Sequence, residues 1–158
     1  MKALVSLLLL HYFLLSNFCT SQVSAQEVWQ HQLLASVNAA RKAGCQCGGV
    51  YMRAVPPLRW DERLARAAQF HAAHMYETNN ISHVGAKHTR VGQRVSAAGY
   101  SWRVVGENLA FGYVNPALAL EGWLRSPGHC RNIMAADFVH VGLARRGRYY
   151  VMVLASPW

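Results

Sequence analysis

The chain has 158 residues, with 16 Lys and Arg against 7 Asp and Glu and a formal net charge of +9. That length is enough for one domain with a sizeable core. The arginines are scattered from Arg41 to Arg148, with no dense block or basic helix face. Charge therefore speaks against a nucleic-acid partner and fits either plain solubility or an anionic partner outside the cell, such as an envelope polymer or lipid head group.

The first segment reads as a secretory signal. Met1-Lys2 is a short basic start, Leu4 to Leu15 is mostly apolar, and Val23-Ser24-Ala25 offers small residues for cleavage before Gln26. The apolar run falls short of the roughly 20 residues that a membrane-spanning helix needs. The expected division is a signal peptide over 1–25 and a single domain over 26–158. No second long apolar stretch follows, so no stable membrane span is expected after cleavage. The expected location is secreted, either extracellular or periplasmic.

A first helix is predicted over Glu27–Lys42, with Leu33, Leu34, Val37 and Ala40 at helical spacing and Gly44 at its end. Gly48 to Pro57 reads as a loop, because Pro56-Pro57 excludes regular helix. Asp61 caps a second helix with one face formed by Leu64, Ala67, Ala68, His71 and Met75, stopping near Asn79. His88–Ala98 reads as a short helix with Val91, Val95 and Ala98 inward. Trp102–Gly112 starts as a strand. Asn115-Pro116 opens a helix carrying Leu118, Leu120 and Trp123, which Ser126-Pro127-Gly128 breaks. A further helical turn is expected over His129–Met134. Val139, Val141 and Leu143 alternate with His140, Gly142 and Ala144, and Arg146-Gly147 turns the chain into Arg148–Leu154, which is a β-hairpin pattern. Helices first and a hairpin last argue for an α+β fold.

Three cysteines follow the signal: Cys45, Cys47 and Cys130. An oxidising compartment favours a bridge, and three thiols leave one over. Cys45 and Cys47 are too close in sequence to pair comfortably. Cys130 is expected to join Cys47, with Cys45 as the alternative partner. Such a bridge closes a loop of more than about 80 residues, worth about 4 kcal/mol in the chain-entropy model.

The chemistry-bearing residues come from three separate stretches: Ser82-His83, Gly106-Glu107-Asn108 and Ser126-Pro127-Gly128-His129. Two imidazoles and one carboxylate can hold a divalent cation, form an acid–base pair or line a polar cleft. His71 and His74 sit at i and i+3 on the second helix, where a core histidine beside a solvated one is the simpler reading than a shared metal. Ser82 and Ser126 lie outside any nucleophile elbow, so they read as turn and helix-end residues.

"NNISHVG", "GENLAFGY", the Trp123 helix and "SPGHCRNIM" occur in the order seen in the CAP superfamily, which groups cysteine-rich secretory proteins, insect venom antigen 5 and pathogenesis-related plant proteins. The chain resembles the secreted bacterial branch of that superfamily from about Leu33 onward. The resemblance implies an α-β-α sandwich with a central antiparallel sheet flanked by helices. It also implies a cleft holding His83, Glu107 and His129. A second family carboxylate falls three residues after the helix tryptophan, where this chain has Ser126, and Glu121 lies on the other side of Trp123.

The expected cleft is therefore His83, Glu107, Ser126 and His129. His83 and His129 are the metal candidates, with Glu107 nearby, and zinc or another divalent cation is the cofactor the set would take. Without metal, Glu107 is expected to raise the pKa of both histidines. Tyr100, Trp102 and Tyr113 are candidate walls. The function expected is an extracellular binding or interaction module for a small polar or lipid ligand, an anionic envelope polymer or a protein. The alternative is a metal-assisted, peptidase-like hydrolase of extracellular or envelope substrates using His83, Glu107 and His129.

Overall fold

In a computed structural model, residues 25–158 are described. The expected signal segment lies outside them apart from Ala25. The order of elements is helix α1 (Ala25–Ala43), strands β1 (Cys45–Cys47), β2 (Val50–Met52) and β3 (Arg59–Trp60), and helix α2 (Glu62–Thr78). Helix α3 (Val91–Ala97), strand β4 (Trp102–Phe111), helices α4 (Pro116–Arg125) and α5 (Pro127–Ile133), and strands β5 (His140–Arg146) and β6 (Tyr149–Pro157) follow. This is the α+β sandwich expected, with helices on both faces of a four-stranded sheet ordered β3-β5-β6-β4.

Strand β6 shows how the layers form. It is buried from Tyr149 to Ser156, and its side chains alternate between two cores. Tyr150, Met152 and Leu154 join Leu33, Val37, Trp123 and Ile133 on the face covered by α1, α4 and α5. Val151, Val153 and Ala155 join Leu64, Ala68, Met75 and Val95 under α2 and α3. A strand that is buried on both faces from Tyr149 to Ser156 is thus the middle of a three-layer stack.

Local signals explain the helix ends. The Asp61 carboxylate accepts hydrogen bonds from the Arg63 and Leu64 amides at 2.9 and 3.4 Å, capping α2. Asn115 Oδ1 accepts from the Leu118 amide at 2.9 Å, and Pro116 occupies the first turn of α4. Pro127 does the same for α5, so Ser126-Pro127-Gly128 is where one helix hands over to the next rather than a break followed by a single turn.

The structure departs from the sequence reading in three further places. The segment after Gly48, expected as loop, contains β2, and Gly48 and Gly49 make the tight turn from β1 with φ of +63° and +86°. The helix expected from His88 starts only at Val91, because Thr89 and Arg90 are extended and a separate 3-10 turn covers Ala86–His88. The sheet is mixed rather than antiparallel, since β3 pairs parallel to β5 through Arg59–His140 and Trp60–Val141. Two residues of strand are too short to announce themselves by alternation. Among the described residues, no helix is long and apolar enough to cross a membrane.

Candidate functional site

Strand β4 delivers Glu107 to the middle of the molecule, where the residue is only 7% exposed. A carboxylate that buried needs partners on both oxygens. The His83 Nδ1–H donates to Oε1 at 2.8 Å, and Arg94 from α3 donates to Oε2 at 2.5 Å. Arg94 also reaches back to the Thr89 carbonyl at 2.7 Å and the His83 carbonyl at 3.4 Å. One guanidinium therefore neutralises Glu107 and ties down the loop that carries His83.

Bonding to Glu107 settles the neutral tautomer of His83. With Nδ1 protonated, Nε2 keeps its lone pair on a ring that is 53% exposed. A carboxylate that orients an imidazole in this way is the arrangement found behind metal-ligating histidines. Glu107 thus holds the His83 ring in place, and each of its oxygens already has a partner.

His71 lies beneath the same carboxylate, fully buried, with Nε2 at 3.9 Å from Oε1. Its Nε2–H donates to the Ser82 carbonyl at 2.8 Å. His74 is only partly buried beside it, so these two histidines are one core residue and one near-surface residue. Among the described residues, His71 Nδ1 and Arg94 Nε are the two buried side-chain nitrogens without a hydrogen-bond partner.

The second histidine arrives on α5. Asn108, fully buried, donates to the His129 carbonyl at 3.0 Å, and Asn132 donates to Asn108 Oδ1 at 2.9 Å. This chain fixes α5 against β4 and hence places His129 relative to Glu107. Asn108 and Asn132 thus act as staples between strand and helix.

His129 and Ser126 line a cleft of about 310 Å3 together with Ile81, Phe111, Tyr113 and Trp123. Of the expected aromatic walls only Tyr113 is there. Tyr100 is buried on the far side, its hydroxyl 2.8 Å from His140 Nδ1, and Trp102 packs on Gly92 and donates to its carbonyl at 3.1 Å. Ser82 Oγ accepts from the Val84 amide at 3.0 Å, a turn role. Glu121 is exposed and pairs with Arg125 at 3.5 Å one helical turn on, so it does not replace the carboxylate absent at Ser126.

Electrostatics correct one expectation. The His129 pKa is lowered, not raised: burial disfavours its charged form and the neighbouring His83 adds to the effect. Burial is likewise the main cause that lowers His71 and His140, outweighing Glu107 and Asp61 respectively. A histidine whose folded pKa lies below its unfolded value stabilises the fold above that unfolded value, near 6.5, and loses the contribution as pH falls toward the folded one. Metal-free protein should therefore lose stability progressively on acidification below about pH 6.5. Chemical denaturation across pH 4 to 8, with His71→Asn and His129→Asn variants as comparison, checks this, and a midpoint independent of pH over that range would contradict it.

Cys47 and Cys130 form a disulfide that ties β1 to α5, and Cys45 keeps a free thiol. Cys45, Cys47 and Cys130 are also, among the described residues, the one set of three or more candidate ligating side chains whose donor atoms lie within 4.8 Å of one another. While two of them are bridged they offer no thiolate pair to a metal.

Sequence reasoning missed Arg94. A signal was present: Arg94 falls at i+3 from Val91, on the same stripe as Val95 and Ala98, and a charged residue on an apolar face implies a buried partner.

Residues 34–151 match the family model for CAP, the cysteine-rich secretory protein family. Two Bacillus subtilis proteins are similar in sequence: the uncharacterized membrane protein YlbC, 34% identical over 64% of this chain and 29% of its own length, and the uncharacterized protein YkwD, 26% identical over 81% and 46%. The chain thus spans less than half the length of either relative. An SCP-domain extracellular protein from Bacillus anthracis superposes with a TM-score of 0.73 at 25% identity, over 82% of this chain and 41% of that one. An outer surface protein of Borrelia burgdorferi gives 0.70 at 21% identity, over 81% and 92%. NaASP2, in a structure with Zn2+, shares the fold at a TM-score of 0.51 and 16% identity, over 88% and 84%.

Proposed function

The chain belongs to the CAP, or cysteine-rich secretory protein, family, and from that premise we propose that it is an extracellular binding module that takes a polar ligand or a divalent cation at His83 and His129, at the edge of the cleft that His129 and Ser126 line. The observation that carries this reading is the Arg94–Glu107–His83 relay, at 2.5 and 2.8 Å, which orients one imidazole and leaves its Nε2 open. The second imidazole, on His129, is held toward its neutral, ligating form by burial and by His83.

The donor set suits zinc or a similar borderline ion. A bound ion would supply a positive centre for an anionic or polar ligand group seated beside Ser126 and Tyr113. Two protein nitrogens are fewer than the three or four ligands of most zinc sites, so binding should be weak and exchangeable. The zinc of NaASP2 belongs to that protein; the support here is the oriented imidazole of His83 and the neighbouring His129, which burial holds toward its neutral form.

Binding is preferred over hydrolysis because Glu107 is occupied on both oxygens and Ser126 stands where a second carboxylate would be. The similarity to an extracellular SCP-domain protein and the signal-like first segment support a location outside the cytoplasm.

Calorimetric titration of the purified, exported protein with zinc tests the reading. One exchangeable ion per chain is expected, lost in His83→Ala and in His129→Ala. Glu107→Gln should weaken it about 10- to 100-fold, the usual effect of removing a group that orients a metal-binding histidine. Unchanged binding in both histidine variants would remove His83 and His129 as its seat.

A further inference from the structure

We propose that Cys45, Cys47 and Cys130 form a thiol–disulfide exchange site, so that the protein exists as two bridged isomers, Cys47–Cys130 and Cys45–Cys130. Cys45 and Cys47 are two residues apart on β1 and so project from the same face of the strand, toward Cys130 on α5. The Cys45 sulfur lies 3.5 Å from the Cys130 sulfur and 3.8 Å from that of Cys47. Near-equal distances place the free thiol beside the bridge and off its axis, so exchange requires the Cys45 side chain to swing into line with the Cys47–Cys130 bond.

The exchange is balanced and needs no outside oxidant or reductant. The Cys45 thiolate attacks Cys130 Sγ, a Cys45–Cys130 bond forms, the Cys47–Cys130 bond breaks, and the proton lost by Cys45 is taken up by Cys47. Burial raises the Cys45 thiol pKa, which makes the thiolate scarce and the exchange slow.

The backbone around β1 suits two anchoring points. Gly44 precedes the strand and Gly48-Gly49 follow it, all at positive φ. A side chain on Gly48 would meet Pro127, the first residue of α5, at 2.6 Å, so the hairpin rests directly on that helix. Which cysteine is bridged decides which end of β1 is tied to the helix that carries His129. The third cysteine is thereby a second anchor for that helix rather than a leftover.

The test is alkylation of the exported, folded protein with N-ethylmaleimide, digestion without reduction, and tandem mass spectrometry across residues 43–53. Label is expected on Cys45 in one population and on Cys47 in another. Cys47→Ser is expected to be exported with a Cys45–Cys130 bridge and no free thiol, and to melt within a few degrees of Cys45→Ser. The double variant Cys45→Ser/Cys47→Ser should melt lower by about 10 °C, as loss of a bridge closing a long loop implies. Label confined to Cys45, or two free thiols in Cys47→Ser with melting at the temperature of the double variant, would overturn the proposal.

Discussion

Gly142→Ala should destabilise the domain by more than about 3 kcal/mol, the range reached when a core position is forced to accept an atom for which there is no room. Gly142 sits in β5 directly beneath α2. A Cβ there would lie 2.1 Å from the Ala65 nitrogen and 2.2 Å from the Leu64 carbonyl carbon. Both obstacles are backbone, so no side-chain rotation relieves the clash and the helix must lift from the sheet. Lifting α2 uncovers Leu64, Ala67, Ala68 and Met75, all buried to 1% exposure or less. Gly128→Ala is the matched comparison: nothing lies within 4 Å of its added Cβ, and the residue is helical. That variant should stay within about 0.5 kcal/mol of the parent. Urea unfolding of both variants decides the matter, and a parental midpoint for Gly142→Ala would mean that α2 does not approach the sheet this closely.

Arg94→Met is expected to cost about 3–5 kcal/mol, because it strands a buried carboxylate. Glu107 has a side chain only 2% exposed, and Arg94 is the permanently charged partner that faces it. The substitution also frees the Thr89 and His83 carbonyls, so the loop bearing His83 should loosen and zinc binding should weaken in parallel. Glu107→Gln removes the charge that needs neutralising, so adding it to Arg94→Met should restore part of the loss. A double-mutant cycle by chemical denaturation reads the coupling directly, with a value on the order of 3 kcal/mol expected for neighbours in one buried network. Strict additivity of the two substitutions would mean that the pair does not act as a unit.

These two positions also mark how far the sequence could be read. Gly142 was visible only as the polar-face member of an alternating strand, since nothing local says that a helix backbone will press on that face. Glu107, His83 and His129 were legible as candidates because each sits beside a glycine or a turn. Their roles were not. Whether Glu107 is a ligand, a base or a positioning group depends on what meets its two oxygens, and Arg94 comes from a helix thirteen residues away. The His129 pKa runs opposite to the expectation for the same reason: the family resemblance implies a nearby carboxylate, whereas burial, which opposes charge, is a property of the packed molecule.

What the sequence determined by itself is local. Asp61 and Asn115 cap helices through their own side chains, Pro116 presets a first helical turn, and β5 and β6 announce a hairpin through alternation and Arg146-Gly147. Each rests on interactions within a few residues, which the chain carries wherever it goes. Tertiary structure alone decided the parallel pairing of β3, the Arg94–Glu107–His83 relay and the burial of His129. Those depend on groups far apart along the chain and on the exclusion of water between them, and neither exists until the layers have closed.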